Sequence, residues 1–152
     1  MANTWVLVAD SASARLFSAA TPTGPLEELE SLTHREGRMH PRELTSDLPG
    51  RAFDSAGQGR HAMESHAEPQ KQEAIAFARR LAERLDKARS QGEIERLIVV
   101  AAPAFLGLLR DHLGMKIRRL VEAEFALNLV RLAPNEIRGH LPEKLFATIG
   151  PR

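Results

Sequence analysis

The residues of this chain best suited to chemistry crowd into one stretch, from His34 to Glu68. Arg35, Arg38, Arg42, Arg51 and Arg60 share it with four of the six histidines, His34, His40, His61 and His66. Guanidinium forks and backbone N–H groups beside glycines hold phosphate well, so phosphate or RNA contact is the chemistry these residue types point to. Glu36, Glu43, Asp47, Asp54 and Glu64 balance the five arginines, and a solvated loop is the plain alternative. Gly57 and Gly59 flank Gln58 and leave its backbone open to close approach. The candidate ligand-binding residues are therefore Asp47, Arg51, Gly57, Gln58, Gly59, Arg60 and His61.

Other chemistries find less support. His61 and His66 stand five apart, and neither histidine pair has the i, i+4 spacing that places two imidazoles on one helix face, so no metal site is expected. Asp10 ends an apolar run where a metal-dependent nuclease could place a first carboxylate, with Asp47 and Asp54 as conceivable partners. It is equally a turn residue that bonds its own backbone. Arg110, Lys116, Arg118 and Arg119 form a second basic cluster, which the end of a short helix favours on structural grounds alone. Ser11 and Ser13 lack a nucleophile-elbow context, and no phosphate-loop or dinucleotide glycine pattern is present. The chain reads more readily as a non-enzyme than as an enzyme, a question these residues leave open, and no cofactor is expected.

Composition bounds the partners. Twenty-one Lys and Arg against twenty Asp and Glu leave a formal charge of +1, too little for a non-specific DNA coater, so no DNA is expected. The absence of cysteine removes disulfides and thiolate nucleophiles and fits a reducing, cytoplasmic setting. Residues 1–10 carry no basic leader. The longest other apolar run, Leu97 to Leu109, is broken by Pro103 and Gly107 and is too short to span a bilayer, so no membrane role is expected. The oligomeric state stays open.

These residues need a frame. Trp5 to Ala9 reads as a strand buried on both faces, Ala14 to Ala19 as a returning strand, and Leu26, Leu29 and Leu32 as a third. From 34 to 67 hydrophobic periodicity is lost and glycine and proline recur, which predicts a long loop with one helical turn near Pro41 to Thr45. Pro69 opens a long helix whose apolar stripe is Ala74, Ile75, Phe77, Ala78, Leu81, Ala82 and Leu85, with Gly92 beyond its end. Ile94 to Ala102 is the strongest strand signal. Pro103 starts a short helix to His112, Ile117 to Phe125 contains a strand, and Pro134 starts a last helix running through Glu136, Ile137, Leu141 and Leu145. The expectation is one α/β domain over 1–152, a ribonuclease-H-like mixed sheet in the order βββ-α-β-α-β-α with helices packed on it.

Several blocks carry a family resemblance. Trp5-Val6-Leu7-Val8-Ala9-Asp10 with Ala14-Arg15-Leu16-Phe17 resembles the opening of bacterial host-attachment proteins. Ser46-Asp47-Leu48-Pro49-Gly50-Arg51-Ala52-Phe53-Asp54-Ser55, then Phe77-Ala78-Arg79-Arg80-Leu81, then Ala101-Ala102-Pro103 with Leu106-Gly107 and Leu109-Arg110, follow in that family's order. The family is similar to the central domain of archaeal and eukaryotic class-I peptide-chain release factors, which implies the same ribonuclease-H-like topology. In those factors a Gly-Gly-Gln loop precedes a long helix; here the matching stretch is Ala56-Gly57-Gln58, and the Cβ of Ala56 resists the left-handed backbone a first glycine permits. The resemblance implies a non-catalytic binding module that contacts RNA or the ribosome through the 47–66 loop. The alternatives are a protein-interaction or regulatory factor influencing attachment to host cells, and a hydrolase, either a metal-dependent nuclease or an esterase acting on peptidyl-tRNA.

Overall fold

The computed structural model describes residues 3–34 and 55–146, with the backbone alone over 55–68. Three strands come first, β1 (Thr4–Ala9), β2 (Ser13–Ala19) and β3 (Leu26–Thr33). They are followed by α1 (Ser55–Ser90), β4 (Arg96–Ala101), α2 (Pro103–His112), α3 (Met115–Arg118), β5 (Val121–Phe125) and α4 (Pro134–Gly139). The strands form one five-stranded sheet in the order β3-β2-β1-β4-β5. β1, β2 and β3 are an antiparallel meander, with Leu7 opposite Leu16, and β4 and β5 add to it in parallel, with Leu7 also opposite Val99. The arrangement is a mixed α/β sheet with α1 and α2 packed on one face.

β1 and β4 are apolar at adjacent positions because both of their faces are covered. Trp5, Leu7 and Ala9 of β1 and Leu97 and Val99 of β4 pack with Ala74, Phe77, Leu81 and Leu85 of α1 and Phe105 and Leu109 of α2. Val6, Val8, Ile98 and Val100 face the other way, onto Leu129, Val130, Ile137, Leu141 and Leu145. The expected apolar stripe of α1 thus does meet the sheet. Gly92 closes that helix at φ 74°, with the Glu93 N–H donating to Ala88 O at 2.8 Å, the left-handed stop that glycine allows without strain.

Polar contacts fasten α1 to β3. The Arg84 guanidinium bonds the Glu30 carboxylate at 2.8 Å, and Arg80 donates to Thr33 O at 2.8 Å. The hydrogen bond from Arg84 holds the Glu30 carboxyl below its usual range and pushes Arg84 up in turn. Beyond them His34 Nε2 lies 2.6 Å from Glu73 Oε1, while the His34 N–H donates to Ala12 O at 2.8 Å.

Three expectations are corrected. The predicted loop over 34–67 does not extend to Pro69, because α1 begins at Ser55 and carries Pro69 inside it. Ala56, Ala62, Met63, Glu64 and Ala67 are good helix formers, and two interior glycines cost only about 1 kcal/mol each relative to alanine. A helix need not show an apolar stripe along its whole length, so lost periodicity does not by itself mark a loop. The last helix ends at Gly139 and does not run on to Leu145. Pro142 disfavours helical backbone at Leu141, so Leu141 and Leu145 reach the core from irregular chain. A single-turn helix, α3, also precedes β5, set by Gly114 at its start and by the buried Ile117. The turn expected near Pro41 to Thr45 lies outside the described residues.

Candidate functional site

Parallel pairing of β1 with β4 brings two carboxyl ends side by side, and the chain leaves them in different directions. β1 turns back through Asp10-Ser11-Ala12, while β4 passes through Ala102 into α2. Open α/β sheets bind ligands in the crevice at such a divergence. Here it is a cleft of about 550 Å³ lined by Asp10, Ser11, Gln70, Lys71, Phe105 and Asn128, among others. That volume suits a small organic ligand.

Each wall has a local cause. Asp10 ends β1 because its side chain caps the turn: Oδ1 accepts from the Ala12 N–H at 2.9 Å and the Ser13 N–H at 2.8 Å, with the Ser13 hydroxyl at 3.3 Å. The same bonds fix the rotamer of Asp10, a residue that lines the cleft. Opposite, α2 opens on Pro103, which has no N–H, and its Ala102 cap offers no side-chain hydrogen bond. The first intrahelical bond runs from the Leu106 N–H to Ala102 O at 2.9 Å. The N–H groups of Ala104 and Phe105 are therefore orphan donors at the positive end of the helix dipole, in the lining of the cleft. α1 supplies Gln70, the ammonium of Lys71 and the small Ala74. The apolar floor is Phe105 and Leu108, and behind it Phe105 stacks on Phe77 at 5.8 Å, which stacks on His34 at 5.4 Å.

A donor-rich end, one fixed carboxylate and an apolar wall can hold a ligand that is anionic at one point, hydrogen-bond donating at another and flat or apolar elsewhere. The turn role expected for Asp10 is what the structure shows. Among the described residues no three histidines, aspartates or glutamates come together as a metal cage. Asp47 and Asp54, the partners weighed for Asp10, lie outside the described residues.

The candidates chosen from sequence stand elsewhere. Gly57, Gln58, Gly59, Arg60 and His61 occupy the first turns of α1, ten to fourteen residues before Lys71, or roughly 15–20 Å along the helix at 1.5 Å per residue. Asp47 and Arg51 lie outside the described residues. Lys71, Gln70 and Asn128 were missed, since nothing in their local sequence marks them. Pro103 directly after a strand was the usable signal, because it places a helix N-terminus at a strand's carboxyl end.

A second cleft of about 520 Å³ lies beside β5, lined by Arg110, Leu113, Arg118, Val121, Glu122, Ala123 and Glu124. There Arg110 is paired with Glu124 at 2.7 Å, which answers part of the second basic cluster with a structural bond. Among the described residues no helix is long and apolar enough to cross a membrane.

The class these features define is a mixed α/β domain with an open cleft at the carboxyl ends of its parallel strands β1 and β4. The family described as "Protein required for attachment to host cells" matches residues 5–141, and the chain belongs to that family. No curated protein matches it. Among solved structures, the crystal structure of the Aquifex aeolicus Ppx/GppA phosphatase, type II variant, is similar over 81% of this chain and 35% of its own, at 16% identity and a TM-score of 0.41. The chain spans little more than a third of that protein's length.

Proposed function

We propose that this member of the host-attachment family is a non-catalytic binding module for RNA, and that one nucleotide of the RNA occupies the cleft between β1, β4, α1 and α2. The observation that carries this reading is the meeting, in one cavity, of α2's uncapped first turn and Lys71 with an apolar wall at Phe105 and Leu108. The helix end and the ammonium suit a phosphate, and the wall suits a base. The strand order β3-β2-β1-β4-β5 supports reading the fold as ribonuclease-H-like, akin to release-factor central domains. Gln58, Arg60 and His61, with Gly57 and Gly59 on the same helix, are the candidates for further nucleotides of a longer strand; Asp47 and Arg51 remain candidates from their sequence alone. Attachment to host cells would then be influenced indirectly, from the cytoplasm.

The test is fluorescence anisotropy with a short labelled RNA across a salt series. Lys71→Ala should weaken binding roughly tenfold and flatten the slope of log affinity against log salt by a little under one, the loss of one phosphate contact on a single strand. Lys71 is exposed, so thermal stability should hold. RNA affinity unchanged at every salt concentration sinks the reading.

One observation favours a second reading, a protein-interaction role. β5 is the last strand of the sheet, and among the described residues no hydrogen bond outside the regular elements reaches the backbone of Val121–Phe125. Such an edge can accept an added strand. Under that reading Glu122→Lys alters a protein complex and leaves RNA affinity untouched.

A further inference from the structure

We infer that Asp10 makes the cleft selective for ribose over deoxyribose, by accepting a hydrogen bond from the ribose 2′-hydroxyl. The inference rests on the RNA reading above and adds to it the group that reads the sugar.

The two oxygens of this carboxylate have different work. Oδ1 takes the Ala12 N–H, the Ser13 N–H and the Ser13 hydroxyl, which fills its lone pairs and locks the rotamer. Among the described residues Oδ2 has no hydrogen-bond partner, and Asp10 is the one acidic residue that lines the cleft. An ionised carboxylate accepts and cannot donate. A phosphate beside it would be repelled and could form no bond. A ligand group that hydrogen-bonds Oδ2 must therefore bring a hydrogen, while the anionic group goes to the orphan N–H groups of α2 and to Lys71.

In a nucleotide inside an RNA strand the 3′ and 5′ oxygens are esterified, so the 2′-hydroxyl is the one donor left on the sugar. DNA has none. A rigid acceptor in the cavity that holds the phosphate donors is thus set to separate the two polymers, and a hydrogen bond to a charged acceptor is among the stronger kinds.

The experiment compares three labelled oligonucleotides of one base sequence by anisotropy: ribo, deoxy with uracil retained, and 2′-O-methyl. The parent protein should prefer the ribo strand roughly tenfold, the worth of one charge-assisted hydrogen bond. The 2′-O-methyl strand, which keeps the oxygen but loses the hydrogen, should bind like the deoxy strand. In Asp10→Asn the oxygen that caps the turn is retained and the negative charge is gone. Deoxy binding should rise, and the ribo-to-deoxy ratio should fall toward one. A residue that only shapes the turn would shift all three strands equally and leave the ratio alone. Equal binding of the three strands by the parent overturns the Asp10 assignment while the RNA reading stands. Selection by base with no selection by sugar overturns it also. If none of the three binds at low salt, the RNA reading falls and this inference with it.

Discussion

Among the described residues, the cover on one face of the sheet is helical and on the other mostly irregular chain; the two are held by different forces. Within α1 and α2 most backbone hydrogen bonds are internal, so apolar side chains such as Phe77, Leu81 and Leu109 hold them to the strands, with Arg80 and Arg84 tying α1 to β3. Among the described residues the opposite face has one six-residue helix, and Leu129, Val130, Leu141 and Leu145 arrive on segments without a ladder. Arginine supplies what is missing there. Arg138 donates to the carbonyls of Gly24 at 2.9 Å, Pro142 at 2.7 Å, Pro22 at 3.1 Å and Glu143 at 2.7 Å. Arg15 donates to Val130 O at 2.9 Å as well as to Glu28. Regular cover is a matter of burial, and irregular cover is a matter of carbonyl accounting.

The largest effect should come from the helical side. Leu81 is 1% exposed between α1 and the sheet, and Leu81→Ala should cost about 2–5 kcal/mol, the usual range for deleting a buried leucine side chain. Arg79, on the outward face of the same turn, should cost less than about 0.5 kcal/mol as Arg79→Ala. Denaturant melts of both variants decide it. Equal losses would mean that α1 does not hold the sheet through this stripe.

Next comes the irregular side, where Arg138→Ala leaves four carbonyls without their shared donor. A loss of about 1.5–3 kcal/mol is expected, the range for hydrogen bonds to a charged group. Arg138→Lys should recover little of it, because a point ammonium cannot span the positions that the guanidinium fork reaches. Full rescue by lysine would show that charge alone, not the fork, ties this segment down.

Acid should loosen β3 from both neighbours at once. The hydrogen bond from Arg15 holds the Glu28 carboxyl below its usual range, as that from Arg84 does for Glu30. A carboxyl whose pKa is lowered by folding binds its proton more readily in the unfolded chain. Its contribution is therefore present above the ordinary carboxylate range and is lost as pH falls through the folded value. Both pairs are partly exposed, so the effect should be modest and should shrink in high salt. Glu30→Gln and Glu28→Gln should each flatten the acid limb of a plot of melting temperature against pH. An acid limb unchanged in the double variant would remove both pairs from the account.

The same contrast explains how much was legible in the chain itself. Trp5 to Ala9 and Ile94 to Ala102 are apolar at adjacent positions, which is what two covered faces require, and the stripe from Ala74 to Leu85 has helical spacing; these could be read directly. The start of α1 at Ser55 could not, because its first turns carry no apolar periodicity. Nor could the irregular cover, since Leu141 and Leu145 fall at a spacing that a helix would also give, and Arg138 bonds carbonyls more than a hundred residues away. At the cleft, Asp10 was readable as a turn residue. Lys71, Asn128 and the first turn of α2 reach it only because β1 and β4 run parallel, a fact of pairing that local sequence does not state.

The smallest effect concerns Thr4, at the opposite end of β1 from the cleft. It is 2% exposed, and its hydroxyl has no hydrogen-bond partner among the described residues. Burying a hydroxyl without a partner is unfavourable, whereas valine has nearly the same shape, no polar atom and an equal fitness for a strand. Thr4→Val should therefore raise stability, by up to about 1 kcal/mol, which is a rise of roughly 2–4 °C in Tm for a chain of this length. Thr4→Ser keeps the hydroxyl, removes a methyl and should lower Tm. Differential scanning calorimetry of the two variants separates the cases. If Thr4→Val melts below the parent, the hydroxyl is bonded after all, and the start of β1 is held by a polar contact, as the irregular face is, not by burial alone.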